Sequence, residues 1–353
     1  MACLPKMKTK FIRLTCNRLR KETLKNRNVD MDMKSYLYGL LSLLLLAGCA
    51  SQSVEMPFPA FEQKAALKGE MLECKEIIAP DFIALKGKSM FVASSRSDTM
   101  LWRYELPDLL LQSGWGTKGQ GKDEIGLFPM FCRSFSDTLY VWGYTPVTIK
   151  AMVTDGQAMK AAHALLLPQY DNFNQMHILR DSLLVYSTVS TDYTIKKINL
   201  INGKPSGQIT MERDEHGETF FDSHRGIMSA NDDFIVYAYS YKKQIDLYRV
   251  SDMTLYKRLV DKDVKPEIRM GDMQHTVQRY LNVMAGRKYI YALYDRQENG
   301  CCLEVLDYEG RGVAQYSFDV VPFLFDVDEE NNMLYGFNGN YENYFIRYKL
   351  LFD

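Results

Sequence analysis

The chain contains the run Phe234-Ile235-Val236-Tyr237-Ala238, five apolar residues that follow the polar turn Asn231-Asp232-Asp233. Five similar runs follow turns of the same kind, rich in residues that tolerate turn dihedral angles. They are residues 90–94, 139–143, 183–187, 289–293 and 333–337. The starts of the six runs are 49, 44, 51, 55 and 44 residues apart. This spacing indicates an internal repeat of one small structural unit.

Each run is followed, 9 to 13 residues after its start, by a segment in which apolar and polar residues alternate. These segments begin at Met100, Thr148, Thr194, Gln244, Cys302 and Tyr344. Alternation is typical of a strand with two unlike faces. We therefore expect the acidic residues within these segments, Asp246 and Glu304, to face solvent.

Further short strands are predicted before and after these two, for example at residues 82–85 and 314–318. Four strands in a unit of ~50 residues match one blade of a β-propeller. The sequence thus predicts an all-β fold, a six-bladed β-propeller with four-stranded antiparallel blades, over residues 61–353. The sixth repeat ends without an outer strand. We expect an N-terminal strand within residues 65–77 to supply it and to close the ring.

A different pattern lies upstream of the repeats. Lys34 precedes a largely apolar run from Tyr36 to Ala47, which ends in Leu46-Ala47-Gly48-Cys49. The run is shorter than the ~20 residues that a helix needs to span a bilayer, and its basic flank is typical of a secretory signal. The ending resembles the lipobox of bacterial lipoproteins, which implies cleavage before Cys49 and a diacylglycerol on its thiol. The alternative is a buried helix of a cytosolic domain.

Residues 1–30 are rich in Lys and Arg and show little apolar patterning. They indicate either a basic arm or an over-extended start, with translation from Met31 or Met33. We interpret residues 1–48 as leader and lipoprotein signal peptide and residues 49–60 as a tether. Residues 1–48 hold 10 of the 43 Lys and Arg and 3 of the 44 Asp and Glu, which leaves residues 49–353 with a net charge of −8. That charge argues against a nucleic-acid partner, because phosphate binding needs a basic surface.

Residues 114–125 read GWGTKGQGKDEI. They are similar to the stretch G-x-G-x-G-P-G-E-F between blades of the six-bladed, TolB-like or NHL-like propeller lipoproteins of Bacteroidetes, although Lys-Asp-Glu-Ile replaces Pro-Gly-Glu-Phe. The repeat pattern of residues 61–353 resembles the same family. The resemblance implies a propeller attached to the cell envelope. It implies no particular ligand, because propellers carry unrelated activities.

Other motifs have simpler interpretations. Residues 116–122 fit G-x-x-x-x-G-K, but Asp123 stands where a phosphate-binding loop needs Ser or Thr, so we expect a glycine-rich crossing between blades. The acidic residues Asp326 and 328–330 suggest Ca²⁺, yet 328–332 falls where the other repeats have a hairpin turn. The five His show no metal-ligand spacing, and no G-x-S-x-G is present. No catalytic residue, metal site or cofactor is predicted.

The cysteines downstream of Cys49 are Cys74, Cys132, Cys301 and Cys302. None of them shows the C-x-x-C spacing of a metal site. Two alternatives remain: a disulfide between Cys74 and a partner in an oxidising compartment, or free buried cysteines.

We expect the ligand at a mouth of the central channel, on the loops that enter the innermost strands. The candidate ligand-binding residues there are Arg133, His177, His224, Arg225 and Tyr280. The loops after the second strands carry a further set, expected at the opposite mouth or rim: Arg96, Tyr144, Tyr241 and Arg296. Arginine and aromatic residues suit protein partners and polar or carbohydrate ligands.

The sequence therefore favours a lipid-anchored propeller that acts as a binding or scaffold module for envelope proteins or glycans. The alternative is a hydrolase or lyase acting on glycans or lactones at the channel mouth. Acidic residues converging in the channel would favour the enzyme, and a neutral channel with an apolar loop patch would favour the binding module. Only Glu55 is acidic directly after Cys49, so we expect an outer-membrane lipoprotein that faces the periplasm rather than the cell surface.

Lipidation of Cys49 predicts that the variant Cys49→Ala leaves the membrane, because the lipid is the expected attachment. The measurement is the share of the protein that sediments with membranes, with the wild-type chain as control. Unchanged membrane fractionation of the variant would contradict the anchor.

Overall fold

The computed structural model describes residues 54–352 apart from residues 75, 77–78, 156–157, 168–170 and 189–192. The described chain forms 28 strands and two short 3-10 helices, Met273–His275 and Gln297–Asn299. No helix in this part of the chain is long and apolar enough to cross a membrane. The leader and Cys49 lie outside the described residues, so the lipid anchor stays a prediction.

Six sheets follow one another along the chain. Three strands precede them: β1 (Glu55–Pro57), β2 (Gln63–Leu67) and β3 (Glu70–Glu73). Blade 1 consists of β4 (Phe82–Lys86), β5 (Ser89–Ala93), β6 (Leu101–Glu105) and β7 (Leu110–Trp115). A small parallel ribbon follows, β8 (Thr117–Lys118) and β9 (Glu124–Ile125). Blade 2 consists of β10 (Leu127–Cys132), β11 (Leu139–Tyr144), β12 (Thr148–Asp155) and β13 (Ala158–Leu166).

The remaining blades repeat this layout. Blade 3 consists of β14 (Phe173–Leu179), β15 (Leu183–Thr188), β16 (Thr194–Asn199) and β17 (Lys204–Thr210). Blade 4 consists of β18 (Gly226–Ala230), β19 (Phe234–Tyr239), β20 (Gln244–Arg249) and β21 (Leu255–Val260). Blade 5 consists of β22 (Tyr280–Ala285), β23 (Tyr289–Asp295), β24 (Cys301–Asp307) and β25 (Gly312–Phe318). Blade 6 contains β26 (Leu324–Asp328), β27 (Met333–Phe337) and β28 (Tyr344–Lys349).

The structure confirms the predicted six-bladed propeller of antiparallel sheets. The six apolar runs are the second strands of the blades, and the six alternating segments are the third strands. The runs are almost entirely apolar because both faces of each second strand are covered by neighbouring blades. Val236 and Ile290, for example, are fully buried. The ring closes where blade 6 meets blade 1: Asp326 accepts a hydrogen bond of 2.8 Å from the backbone N–H of Leu85.

The N-terminal stretch contributes three separate strands. We expected one strand within residues 65–77. That strand is β3, which pairs antiparallel with β28 as the outer strand of blade 6. In addition, β2 pairs parallel with β25 as a fifth strand of blade 5. The strand β1 pairs parallel with β21 of blade 4. Successive N-terminal strands therefore lie against the outer edges of three successive blades.

The expectation that Asp246 and Glu304 face solvent was wrong, because both side chains are fully buried. The third strands also have neighbours on both faces. The alternation of polar and apolar residues along them therefore distinguishes two packed faces rather than a core face and a solvent face. Asp246 is paired with Arg258 through two hydrogen bonds, of 2.9 and 2.7 Å. It also accepts a hydrogen bond of 2.9 Å from the hydroxyl of Tyr239. These partners compensate the charge that burial would otherwise make costly.

The smaller motifs fold as expected. Residues 116–122 form a crossing between blades 1 and 2, and the ammonium group of Lys150 donates hydrogen bonds to three of the backbone carbonyls between Gly121 and Glu124. Residues 329–332 form the turn between β26 and β27. The four cysteines from Cys74 to Cys302 are free. The Cys74 thiol lies 3.0 Å from the hydroxyl of Tyr104.

The buried pair leads to a stability prediction. Replacing Arg258 with Ala leaves Asp246 buried without its main partner, so we expect the free energy of unfolding to fall by about 3–5 kcal/mol. Chemical denaturation would measure the loss. The control is Arg180→Ala, which removes one partner of an exposed ion pair with Asp233 and should have a far smaller effect. Equal losses for the two variants would contradict this assignment.

Candidate functional site

The two sets of candidate residues lie on the same face of the ring, except for Arg133 and His177. Arg133 follows the innermost strand β10 and His177 lies within β14, so the expectation that both precede an innermost strand was wrong. In an antiparallel pair, the start of one strand lies beside the end of its neighbour. The backbone N–H of Ser240, after β19, accordingly donates a 2.8 Å hydrogen bond to the carbonyl of Arg225, before β18. Asp295 and Arg279 are joined in the same way in blade 5, at 2.7 Å. The expectation of opposite mouths was therefore wrong. We call this side, where the innermost strands begin, the entry face.

The other side, called the hairpin face, carries the tight turns between first and second strands. Polar contacts tie these turns together across the channel. Arg287 of blade 5 donates a 2.7 Å hydrogen bond to the carbonyl of Phe135 in blade 2, and its guanidinium lies 4.7 Å from the Phe135 ring centre. Lys86 of blade 1 donates to the Ser136 carbonyl at 2.7 Å. Because blades 2 and 5 are opposite each other, the Arg287 contact spans the channel at the hairpin face, and the Lys86 contact joins two neighbouring blades.

The central channel contains a cavity of about 290 Å³ that all six blades line. Its ionisable lining residues are two of the predicted ones, Arg133 and His177. Arg133 pairs with Asp326 at 2.9 Å. His177 is buried; its Nε2 lies 3.3 Å from the Ser229 hydroxyl, and its Nδ1 has no hydrogen-bond partner. Burial, and to a lesser extent the charge of Arg133, lowers the pKa of His177 to about 3, so the imidazole is neutral.

A second cavity, of about 260 Å³, lies among blades 3, 4 and 5 at the entry face. We call it the mouth cavity. Two further candidates, Arg225 and Tyr280, line it. It adjoins the channel cavity, since the two share four lining residues: Asn174, Gln175, Ile227 and Leu281. The structure therefore brings Arg133, His177, Arg225 and Tyr280 to two adjoining cavities.

His224 lies behind the mouth cavity, in a cluster with Asp214 and Asp222. One ligand atom from each of the three residues lies within 4.8 Å of the others, a set that could hold a metal ion. Protein groups already occupy these carboxylates. Asp222 pairs with Arg213 at 3.0 Å, and Asp214 accepts a 2.8 Å hydrogen bond from the Ser223 hydroxyl. The cluster therefore serves to hold the loop that carries Arg225.

The other candidates do not line either cavity. Tyr241 and Tyr144 each donate a 2.5 Å hydrogen bond to a backbone carbonyl, that of Phe220 and that of Phe173 respectively. Arg296 donates to carbonyls of its own loop, at 2.9 and 3.2 Å. Arg96 is exposed. Tyr144 and Tyr241 thus hold loops in place.

The sequence reasoning did not identify a set of exposed apolar side chains at the entry face. They are Phe82, Phe128, Phe220, Met273 and Phe323, with exposed fractions from 39 to 60%. Phe82 and Phe323 line the channel cavity. Phe220 lies under the guanidinium of Arg225, with 4.9 Å between the guanidinium carbon and the ring centre. Each of these residues precedes or begins an innermost strand, a position that could have drawn attention to them.

Neither cavity has a carboxylate in its described lining. Most of the residues that line the channel cavity are apolar; the polar ones are Arg133, Asn174, Gln175, His177, Ser229 and Asn282. General acid–base hydrolysis of glycans uses a pair of carboxylates flanking the bond. The described lining therefore offers binding groups: guanidinium and amide donors beside exposed aromatic rings.

Comparisons with known proteins assign no family to this chain. No protein-family model matches the sequence, and no curated protein matches it. Among solved structures, BamB from Moraxella catarrhalis has 10% identity and a TM-score of 0.39, over 76% of this chain and 69% of that one. The RRP9 WD40 repeats have 8% identity and a TM-score of 0.48, over 80% and 97%. The Pan2 WD40 domain of Neurospora crassa has 10% identity and a TM-score of 0.44, over 76% and 75%.

The neutral, buried His177 predicts a pH effect on stability. Below about pH 6.5 the unfolded chain binds a proton that the folded chain does not accept until about pH 3. The unfolding free energy of the wild type should therefore fall as pH drops from 6.5, by up to about 1.4 kcal/mol per pH unit. The variant His177→Gln lacks this contribution.

Denaturation of both proteins between pH 7.5 and 5 would measure the difference in slope. The variant His216→Gln, which removes an exposed histidine, should keep the wild-type slope. If the unfolding free energy of His177→Gln has the same pH slope as that of the wild type, the pKa of His177 is not lowered in the folded chain.

Proposed function

We propose that this chain is a lipid-anchored β-propeller that binds an envelope protein or glycan at its entry face. The observation that carries the proposal is the group of exposed apolar side chains beside two adjoining cavities whose described lining contains no carboxylate. Exposed apolar surface beside arginine and aromatic residues is typical of a binding surface. The hairpin face offers less access to the channel, because Arg287 and Lys86 tie its turns together.

The alternative, a hydrolase or lyase at the channel mouth, has less support. It needs an acid and a base that reach the same bond. In the described lining, the groups that could serve are Arg133, which is paired with Asp326, and His177, whose pKa is lowered to about 3. Neither is suited to proton transfer near neutral pH. We therefore prefer a binding or scaffold module of the TolB-like or NHL-like type.

The anchor and the location belong to the same proposal. A lipid on Cys49 would place the propeller at the surface of a membrane, and we favour the periplasmic face of the outer membrane of a Bacteroidetes cell. The support is the Leu46-Ala47-Gly48-Cys49 motif and the single acidic residue Glu55 directly after it. A tethered rigid ring would present its entry face to a partner at the same membrane.

Site-specific photocrosslinking in intact cells tests the binding face. The photoreactive residue p-benzoylphenylalanine replaces Phe220 in one variant and Ile201 in the other. Phe220 is 54% exposed at the entry face, and Ile201 is 83% exposed in the turn between β16 and β17 at the hairpin face. We expect a discrete adduct from position 220 and none from position 201. Equal adducts from both positions, or none from position 220, would contradict the proposal.

A further inference from the structure

We propose that the mouth cavity binds a carboxylate of a protein partner, supplied by an Asp or Glu side chain between apolar neighbours. This inference rests on the proposed function and adds the chemistry of the partner. It is carried by the environment of Arg225, a half-buried cation that lines the cavity.

Arg225 has no counter-ion among the described residues. Its guanidinium makes one long contact, 3.5 Å from Nη1 to the Tyr241 hydroxyl oxygen, and stacks on the ring of Phe220. The other arginines near this site are paired: Arg213 with Asp222 at 3.0 Å, and Arg279 with Glu267 at 2.8 Å. Charges removed from water are normally paired. A guanidinium left without an anion in a cavity is therefore suited to an anion from a ligand, and its fork matches a carboxylate.

Besides Arg225, the side-chain amide of Gln175 is a donor in the cavity that remains available to a ligand. The hydroxyls of Tyr193, Tyr237 and Tyr280 are used, since they donate to the Thr219 carbonyl, the His224 carbonyl and the Glu304 carboxylate respectively. The side-chain oxygen of Gln175 already accepts hydrogen bonds from Ser187 and from the Met228 backbone, at 3.1 and 3.0 Å. Its amide group therefore remains as a donor. The guanidinium of Arg225 and the amide of Gln175, in a described lining that has no carboxylate, complement an anionic ligand.

The loop holds Arg225 in place before any ligand binds. The fully buried Asp222 accepts a 2.8 Å hydrogen bond from the backbone of His224, and its carbonyl accepts one of 3.0 Å from the backbone of Arg225. Tyr241 fixes the Phe220 carbonyl at 2.5 Å. A guanidinium that is already oriented loses little conformational freedom on binding, and this favours affinity.

The surroundings favour a protein segment over an acidic sugar. Phe220 and Met273 flank the cavity with 54 and 40% of their surface exposed. The sulfur of Met273 lies 3.9 Å from the Tyr241 hydroxyl, and the ring of Phe220 lies against the guanidinium of Arg225. Phe220 and Met273 are therefore both close to the loop that carries Arg225. A uronic acid would supply the carboxylate but few apolar groups for these two side chains. A glutamate between apolar residues supplies both.

The test uses two matched peptides, acetyl-Phe-Glu-Leu-amide and acetyl-Phe-Gln-Leu-amide, and glucuronate as the sugar arm. Binding to the full chain is measured by ligand-observed NMR and titration. We expect the Glu peptide to bind about tenfold more tightly than the Gln peptide, the effect of one charge-assisted hydrogen-bonded pair. The variant Arg225→Gln should remove this preference, and Arg225→Lys should keep part of it. Arg180→Gln, which changes an exposed arginine in the turn between β14 and β15 at the hairpin face, should keep all of it.

Equal binding of the two peptides, no binding of either, or a preference for glucuronate would overturn the inference. A preference that survives in Arg225→Gln would overturn it as well. The far-UV circular dichroism spectrum and the melting curve of each variant show whether it folds. If Arg225→Gln does not fold, Arg225→Lys replaces it in the test. The photocrosslink from position 220 depends on proximity rather than charge. If that adduct forms while the peptides bind alike, the binding face stands and the carboxylate assignment fails.

Discussion

The structure depends on one constraint: each sheet of this chain has two apolar faces. The second strands carry apolar residues on both faces, so a sheet covered on one side would expose the other. A ring of sheets satisfies this requirement, because each blade covers the next. The contact between first and last blades shows it directly. Met90 and Val92 of blade 1 pack in one core cluster with Tyr335, Phe337 and Phe345 of blade 6. Closing the ring thus buries surface that an open array of repeats would leave in water.

The ring creates a second constraint at its centre, where the innermost strands converge. Charged groups there must find partners across blades. Arg133 of blade 2 pairs with Asp326 of blade 6, and Lys86 of blade 1 donates to backbone carbonyls of blade 2. Burial lowers the pKa of Lys86 to about 8 even though Asp326 opposes the shift. These contacts gather at the hairpin face. The channel consequently differs at its two ends, tied by polar contacts at one and bordered by apolar side chains at the other.

The repeated strands could be predicted from the sequence because burial on both faces leaves a local signal, the continuous apolar run. Positions that depend on their pairing with another strand could not. Asp246 reads as a polar residue in an alternating strand, yet its partner Arg258 lies on the next strand and buries it. The parallel pairing of β2 with β25 joins residues about 250 positions apart, so nothing local indicates it. Arg225 and Tyr280 were found from their place before or at the start of innermost strands, whereas the exposure of Phe220 depends on how its loop is held.

The irregularities of the inner ladders also distinguish the two faces. Register shifts between the first and second strands occur in blades 2, 3 and 5. Each shift lies at the entry end of the innermost strand, and the three shifts begin at Leu127, Phe173 and Tyr280. Phe128 sits in the first of these with a positive φ of 56°, a costly conformation for a bulky residue. Bulges and strained residues concentrate next to functional sites, because they direct side chains that regular strands would not. The hairpin ends of the same ladders are regular in the described chain. The irregular backbone positions therefore lie on the face that carries Arg225 and the exposed aromatic rings. A binding surface needs side-chain directions there that regular strands would not give.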